Sequence, residues 1–336
     1  MILVTFGTRP EYIKVKPLIK VLKENSIEFS ILFTGQHVDL LRDVKEDNIR
    51  RIEIVDSGTC RLDSIVSSIL NKEHIFEGVS SVLVQGDTTS AFSVALAAFH
   101  RKIKIIHLEA GLRTYDFENP YPEEANRQLI SRISDINLCP TDINKNHLLS
   151  ENVSGKCFVV GNTVLDNLID IDVDYQEKII VTLHRRENHA LILDWFLEIE
   201  RLANRYDHIE FILPIHPNPC VSKHSNVFEK VKVVPPMSYE KFIENLSSCK
   251  LVITDSGGIQ EECSFLRKKA IVCRLTTERS EVVDKFSFLC ASPRDLESIF
   301  SSHVQDYIPN KEFTCPYGEG KTSESIFEIL KGQGYV

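Results

Sequence analysis

Residues 81–108, SVLVQGDTTSAFSVALAAFHRKIKIIHL, hold one complete repeat of a strand–helix–strand alternation. Two short apolar runs, Ser81–Val84 and Ile103–Leu108, enclose a segment of helical period, Thr89–His100. Near-continuous apolar character in so short a run suits a parallel strand buried on both faces, because crossover helices cover both sides of such a sheet. Between them, Gln85–Thr89 supplies a glycine and a ready helix cap, with Asp87 the first candidate for that cap.

The alternation extends in both directions. Ile2–Phe6, Phe29–Thr34, Arg51–Val55, Asp135–Leu138 and Cys157–Val160 read as strands, and Glu11–Glu24, Leu62–Leu70 and Glu124–Ile133 as helices. The pattern predicts a doubly wound α/β sheet. Pro10 suits a first helical turn, whereas Pro17 falls inside the helix and is expected to kink it. At Asp166–Glu177 the sequence turns acidic and loses its period, which places a boundary there. The alternation restarts with Lys178–Leu183, Glu210–Ile215, Val231–Val234, Leu251–Thr254, Ala270–Cys273 and Phe288–Cys290. The expected organisation is an α/β domain over 1–166 and a second over 177–315, facing each other across a central cleft at the carboxyl ends of their strands. Residues 316–336, with a helix over Lys321–Leu330, are expected to pack back on the first domain.

Composition narrows the function. A chain of 336 residues with 43% hydrophobic and 26% charged residues is ordinary for a globular protein. A formal charge of −9 argues against a nucleic-acid binder but leaves room for a locally basic pocket. No apolar run is long enough to cross a bilayer, and MILVTFGTRP enters a strand pattern without a charged leader, so no membrane role is expected. Nine scattered cysteines without a C-x-x-C pair fit reduced thiols and a cytoplasmic location. The sequons at Asn152 and Asn245 are then not expected to carry sugar.

The candidate chemistry lies where strands end. Phe6–Glu11, FGTRPE, places a glycine before a helix start, with Arg9 and Lys14 near enough to hold an anion. Leu108–Gln128, LEAGLRTYDFENPYPEEANRQ, crowds Glu109, Glu123 and Glu124 with Arg113 and Arg127. Carboxylates at neighbouring strand ends raise one another's pKa unless cations intervene. Thr254–Glu262, TDSGGIQEE, sets two glycines between strand and helix, which suits a phosphate cradle. It is neither a Walker loop nor a dinucleotide fingerprint. His184 in LHRREN and His216 in IHPNP also stand at strand ends, without the spacing of a zinc helix. No metal and no cofactor is expected.

Taken in order, FGTRPE, GDTT, EAGLRT, PEEANR, GNTVLD, HRREN, DSGGIQEE and CPYGEG resemble the motifs of the non-hydrolysing UDP-N-acetylglucosamine 2-epimerases over nearly the entire chain. The resemblance implies the two-domain GT-B architecture, a UDP-sugar substrate, a homodimer, and interconversion of UDP-GlcNAc and UDP-ManNAc. By match to those motifs, Asp87, Glu109 and Glu123 are the acid–base carboxylates, and His184 assists at the pyrophosphate. Arg9, Ser256, Gly257 and Gly258 are implied as phosphate ligands, with Lys14 a fainter one. Glu262 is implied on the ribose, Phe242 near uracil, and Arg113 as the residue ordering the carboxylate loop beside the substrate. The same motifs also suit a C2 epimerase of another UDP-2-acetamido sugar, such as a 6-deoxy-L-hexose or a diacetamido uronic acid, or a hydrolysing 2-epimerase. A glycosyltransferase of the same fold would not need three carboxylates. In the segment where relatives hold a second, regulatory nucleotide sugar, Gln36 and His37 remain but Asp39 stands where a second glutamine is common. Weak or absent allosteric activation is therefore expected.

Overall fold

A computed structural model describes residues 1–35, 48–56, 58, 60–305 and 314–336. The chain divides into two units, one formed by Met1–Asn167 with Tyr317–Val336 and one by Leu168–Pro316. Gln36, His37 and Asp39 lie outside the described residues.

The first unit runs β1 (Ile2–Phe6), α1 (Arg9–Glu24), β2 (Phe29–Phe33), β3 (Ile49–Arg51), α2 (Arg61–Leu70), β4 (Ser81–Gln85), α3 (Thr89–His100), β5 (Lys104–Leu108), α4 (Glu123–Ile133), β6 (Ile136–Cys139), α5 (Asp142–Ser150) and β7 (Lys156–Val159). Among the described residues its strands form one sheet in the order β3-β2-β1-β4-β5-β6-β7, each pair parallel. Alternate residues of each strand feed different cores. Ile2, Val4 and Phe6 pack with α1, while Leu3, Val82 and Val84 pack with α2 and α3. Burial on both faces is why the runs read as continuous rather than alternating. One strand falls elsewhere than the apolar pattern suggests. Arg51–Val55 was expected to pair, but pairing covers Ile49–Arg51, because Val55 is exposed and its N–H is taken by the Ser68 hydroxyl at 3.0 Å.

Pro17 stays within α1 rather than ending it. Proline has no N–H to give the carbonyl four residues back, which belongs to Ile13. The Asn167 side-chain amide donates to that carbonyl at 3.2 Å instead, so the orphaned acceptor is satisfied from outside the helix.

The second unit runs β8 (Lys178–Thr182), α6 (Ile192–Arg205), β9 (Glu210–Pro214), α7 (Pro219–Ser222), β10 (Lys232–Val234), α8 (Tyr239–Ser248), β11 (Leu251–Thr254), α9 (Gly257–Phe265), β12 (Lys269–Val272), β13 (Ser287–Leu289) and α10 (Leu296–Val304). Its parallel sheet has the order β10-β9-β8-β11-β12-β13 among the described residues, with Trp195, Phe196, Phe211 and Phe300 in its core. The last helix, α11 (Thr322–Gly332), returns to the first unit, where Ile326, Phe327 and Leu330 join the core on the α1 side.

The chain therefore holds two doubly wound α/β units, the components of a GT-B architecture, as the alternation predicts. In each sheet the strand order reverses at one place, between β1 and β4 and between β8 and β11. The turns after those strands are where open α/β sheets receive ligands.

Candidate active site residues

In the first unit, Asp87 and Glu109 stand just after the neighbouring strands β4 and β5, and Lys14 of α1 reaches Glu109. Glu109 directly follows β5 and takes a left-handed backbone, φ +66°, a conformation that a non-glycine residue holds only where its surroundings enforce it. Lys14 Nζ donates to both Glu109 carboxylate oxygens at 2.6 Å, and the Gln85 amide donates to Oε2. Lys14 was expected beside a phosphate; its ammonium sits on Glu109 because α1 aims that side chain at the end of β5.

Asp87 does not cap α3. Thr88 does, accepting from Ala91 N at 3.1 Å. The Asp87 carboxylate instead receives Arg127 NH2 at 2.6 Å. Asp87 and Glu109 thus each have a cation within hydrogen-bond distance, the arrangement that crowded carboxylates require. Glu123 and Glu124, adjacent in the first turn of α4, divide in role. Glu124 is fully buried and accepts from Thr114 N at 3.0 Å and Tyr115 N at 3.2 Å, which ties down the loop after Glu109. Glu123 remains half-buried.

Arg113 was expected to order the carboxylate loop and placed with the substrate-binding residues. Its side chain has no exposed surface: Nε and NH2 donate to Glu151 at 2.8 and 3.0 Å, and NH1 donates to Leu112 O at 2.7 Å. It anchors the loop to α5 and presents nothing to a ligand. Arg9, in contrast, is exposed at the start of α1.

The turn after β1 is already filled. Glu11 reaches back to accept from Gly7 N at 3.0 Å, Thr8 N at 2.7 Å and the Thr8 hydroxyl at 2.7 Å, while the Thr88 hydroxyl donates to its other oxygen at 2.8 Å. Burial pushes the Glu11 carboxyl above its ordinary range, against the pull of those donors. The backbone amides expected to meet a phosphate are occupied by a carboxylate of the chain itself.

In the second unit the turn after β11 is open. Ser256 stands at the N-cap of α9 without a side-chain capping bond, and a Cβ on Gly258 would meet nothing within 4 Å. The helix begins with two glycines and its N-terminal amides lack a side-chain cap, which is the ready form of an anion site. Gly257 has a different reason to be glycine, since a Cβ there would lie 2.9 Å from both Arg279 NH1 and Glu278 Oε1. That pair continues into a buried network in which Arg279 Nε meets Glu261 at 2.9 Å and Arg274 NH1 meets Glu278 at 3.2 Å.

Asp255, one residue before Ser256, is fully buried and joins this turn to the one after β8. It accepts from His184 N at 2.9 Å, Arg185 N at 2.9 Å and the Asn188 amide at 3.0 Å. His184 Nδ1 lies 3.5 Å from Asp255, and the ring stacks on His216 with centroids 5.2 Å apart. Burial lowers the pKa of His184, outweighing the opposing pull of Asp255. Glu262 accepts from the Tyr239 hydroxyl at 2.9 Å, and burial together with that carboxylate raises the phenol. Phe242 lies one turn along α8 from Tyr239, half-buried.

A model of the UDP-N-acetylglucosamine 2-epimerase family matches residues 20–331. The chain belongs to that family. It is 36% identical over 376 residues to the UDP-N-acetylglucosamine 2-epimerase of Salmonella borreze, covering 98% of this chain and 97% of that one. Among solved structures it resembles the Neisseria meningitidis UDP-GlcNAc 2-epimerase bound to UDP-GlcNAc, with TM-score 0.88, 34% identity and coverage of 98% and 99%. It also resembles the Methanocaldococcus jannaschii enzyme in complex with UDP-GlcNAc and UDP, with TM-score 0.83, 30% identity and the same coverage. Membership makes the chain an epimerase.

Several residues of this arrangement carry little signal in an epimerase sequence read alone. Gln85 and Asp255 are polar residues closing apolar strands, and that position was the available clue. Asn188 lies within HRREN, but its bond to Asp255 needs tertiary contact to be seen, and Tyr239 has no local signature at all.

Proposed function

We propose that the chain interconverts UDP-GlcNAc and UDP-ManNAc without net hydrolysis. The observation that carries this reading is the pair of cation-pinned carboxylates in a member of this family, Asp87 after β4 at the strand-order reversal and Glu109 after the neighbouring β5. C2 of the substrate sugar has no neighbouring carbonyl to acidify its proton, so direct deprotonation is poor. A carboxylate removes the C2 proton as the C1–oxygen bond breaks, and the bonding pair leaves with UDP. The 2-acetamidoglucal left behind then regains UDP at C1 and a proton at C2 from the opposite face. Positioned acids and bases of this kind contribute about 10²–10⁴-fold each.

Asp87, Glu109 and Glu123 serve as the acid–base groups in this reading. The amides of Gly257 and Gly258 with Ser256 hold the departing pyrophosphate, assisted by His184 and Arg9, and fixed donors there stabilise charge that develops in the transition state. Glu262 takes the ribose and Phe242 the uracil. Lys14 orients Glu109, and Arg113 acts through Glu151 on the loop. A cytoplasmic homodimer serving polysaccharide biosynthesis completes the proposal, supported by the motif resemblance and the free cysteines. Among the described residues no helix is long and apolar enough to cross a membrane.

The test is incubation with UDP-GlcNAc in D₂O followed by proton NMR. UDP-ManNAc carrying deuterium at C2 is the expected product. Free ManNAc and UDP would move the chain to the hydrolysing branch, and an inert UDP-GlcNAc would redirect the search to other UDP-2-acetamido sugars.

A further inference from the structure

Asp87 is held at more points than its carboxylate. The preceding residue, Gly86, has φ +68°, and its N–H donates to Leu108 O at 2.9 Å, on the peptide leading into Glu109. The Gly86 carbonyl belongs to the Gly86–Asp87 peptide, and His107 Nε2 lies 2.8 Å from it. The Asp87 carbonyl belongs to the next peptide, and the Asn126 amide donates to it at 2.9 Å. Each peptide plane flanking Asp87 is therefore tied by one side chain, while Arg127 holds the carboxylate.

We propose that His107 and Asn126 are positioning residues that set the orientation of Asp87 through its two flanking peptides. This rests on the reading that Asp87 acts at C2 of the sugar.

His107 is an odd choice on stability grounds. It sits in mid-strand among Ile105, Ile106 and Leu108 with no exposed surface, and its Nδ1 has no hydrogen-bond partner among the described residues. Burying an imidazole with one nitrogen unsatisfied is unfavourable, so a residue that breaks the local rule points to function. A carbonyl only accepts, so Nε2 carries the hydrogen. Burial holds the ring neutral, with its pKa pushed down to about 4; Arg113 adds to the lowering, while the Gly86 hydrogen bond, Asp87 and Glu109 oppose it. The imidazole thus gives a donor without adding a positive charge to those around Asp87. A misplacement of about 1 Å in a reacting group costs roughly 10²-fold in rate.

The test compares wild type with His107→Leu, His107→Gln, His107→Asn and Asn126→Ala by steady-state kinetics on UDP-GlcNAc, with a C2-deuterated substrate and thermal melts alongside. His107→Leu and Asn126→Ala should lower kcat by roughly 10–100-fold with KM moved less than about 3-fold, as expected when an interaction matters in the transition state. The C2 isotope effect should rise, which a smaller folded fraction would not cause. Glutamine places its amide nitrogen where Nε2 stands, so His107→Gln should recover most of the rate, while the shorter asparagine should not. If His107→Leu does not accumulate as folded protein, His107→Asn and Asn126→Ala carry the same comparison. Variants with unchanged kcat, or a loss shared equally by glutamine and asparagine and tracking the melts, would overturn the inference while leaving the catalytic reading intact. A wild type inert on UDP-GlcNAc would overturn both.

Discussion

The turn after β1 and the turn after β11 share their ingredients: a strand end, a hydroxyl at the N-cap, glycine beside it and a helix behind. They differ at the third helical position. Thr8 is followed there by Glu11, which completes a capping box and takes the free amides; Ser256 is followed by Ile259, which cannot. The same local geometry is sealed in one unit and open in the other. A glycine at a strand-to-helix corner makes an anion site possible, and the residue at N3 decides whether the chain satisfies that site itself.

If the sealed unit contributes proton transfer and the open one phosphate binding, the two functions should separate by mutation. Glu109→Gln should lower kcat by about 10²–10⁴-fold, the usual range for a lost acid or base, while UDP affinity measured by calorimetry stays within about 2-fold. A parallel loss of UDP affinity would break the division. Ile259→Glu would give the second turn the capping residue of the first. A carboxylate competing for the amides should weaken UDP binding by roughly 10–100-fold without lowering the melting temperature, since anions favour a helix N-terminus.

A smaller effect is read through pH. His107, which holds the turn after β4, has its pKa pushed down to about 4 from an ordinary 6.5. As pH falls below 6.5 the unfolded chain binds a proton that the folded chain refuses, so this group's contribution is intact above 6.5 and is lost progressively toward about 4. Between pH 7 and pH 5 the loss should be about 2 kcal/mol, at 1.36 kcal/mol per pKa unit, and His107→Gln should remove that slope from urea unfolding curves. Least of all, Glu11→Ala should unseal the first turn at a cost of about 1–2 kcal/mol, seen as a lower melting temperature, because Gly7 N and Thr8 N lose their acceptor.

The sequence made much of this legible, and the reasons differ by element. Strands buried on both faces leave continuous apolar runs, so most of the sheet order's raw material was visible in stretches such as Ser81–Val84 and Leu251–Thr254. Arg51–Val55 misled because one exposed valine looks the same as a buried one in a list of letters. Motif positions located Asp87, Glu109 and Ser256, but the pairing of cations to carboxylates depends on side chains from other elements. Lys14 was read as a phosphate ligand and Arg113 as ordering the loop beside the substrate, and both are taken by carboxylates 95 and 38 positions further along. The capping box at Thr8–Glu11 was written in the sequence and outweighed by its glycine.

The exit and return of the chain in the first unit also bear on its biosynthesis. The chain leaves that unit after Asn167 and re-enters at Tyr317, whose carbonyl accepts from Asn162 N at 2.8 Å, while Asp166 receives the amides of Thr322 and Ser323 at 2.9 and 2.7 Å. Ile326 and Leu330 then complete the core beside α1. On the ribosome, the whole of the second unit is synthesised before the closing helix of the first. At synthesis rates of about 5–20 residues per second, the first unit waits roughly ten to thirty seconds for α11. That interval is when the apolar surface beside α1 is most in need of protection.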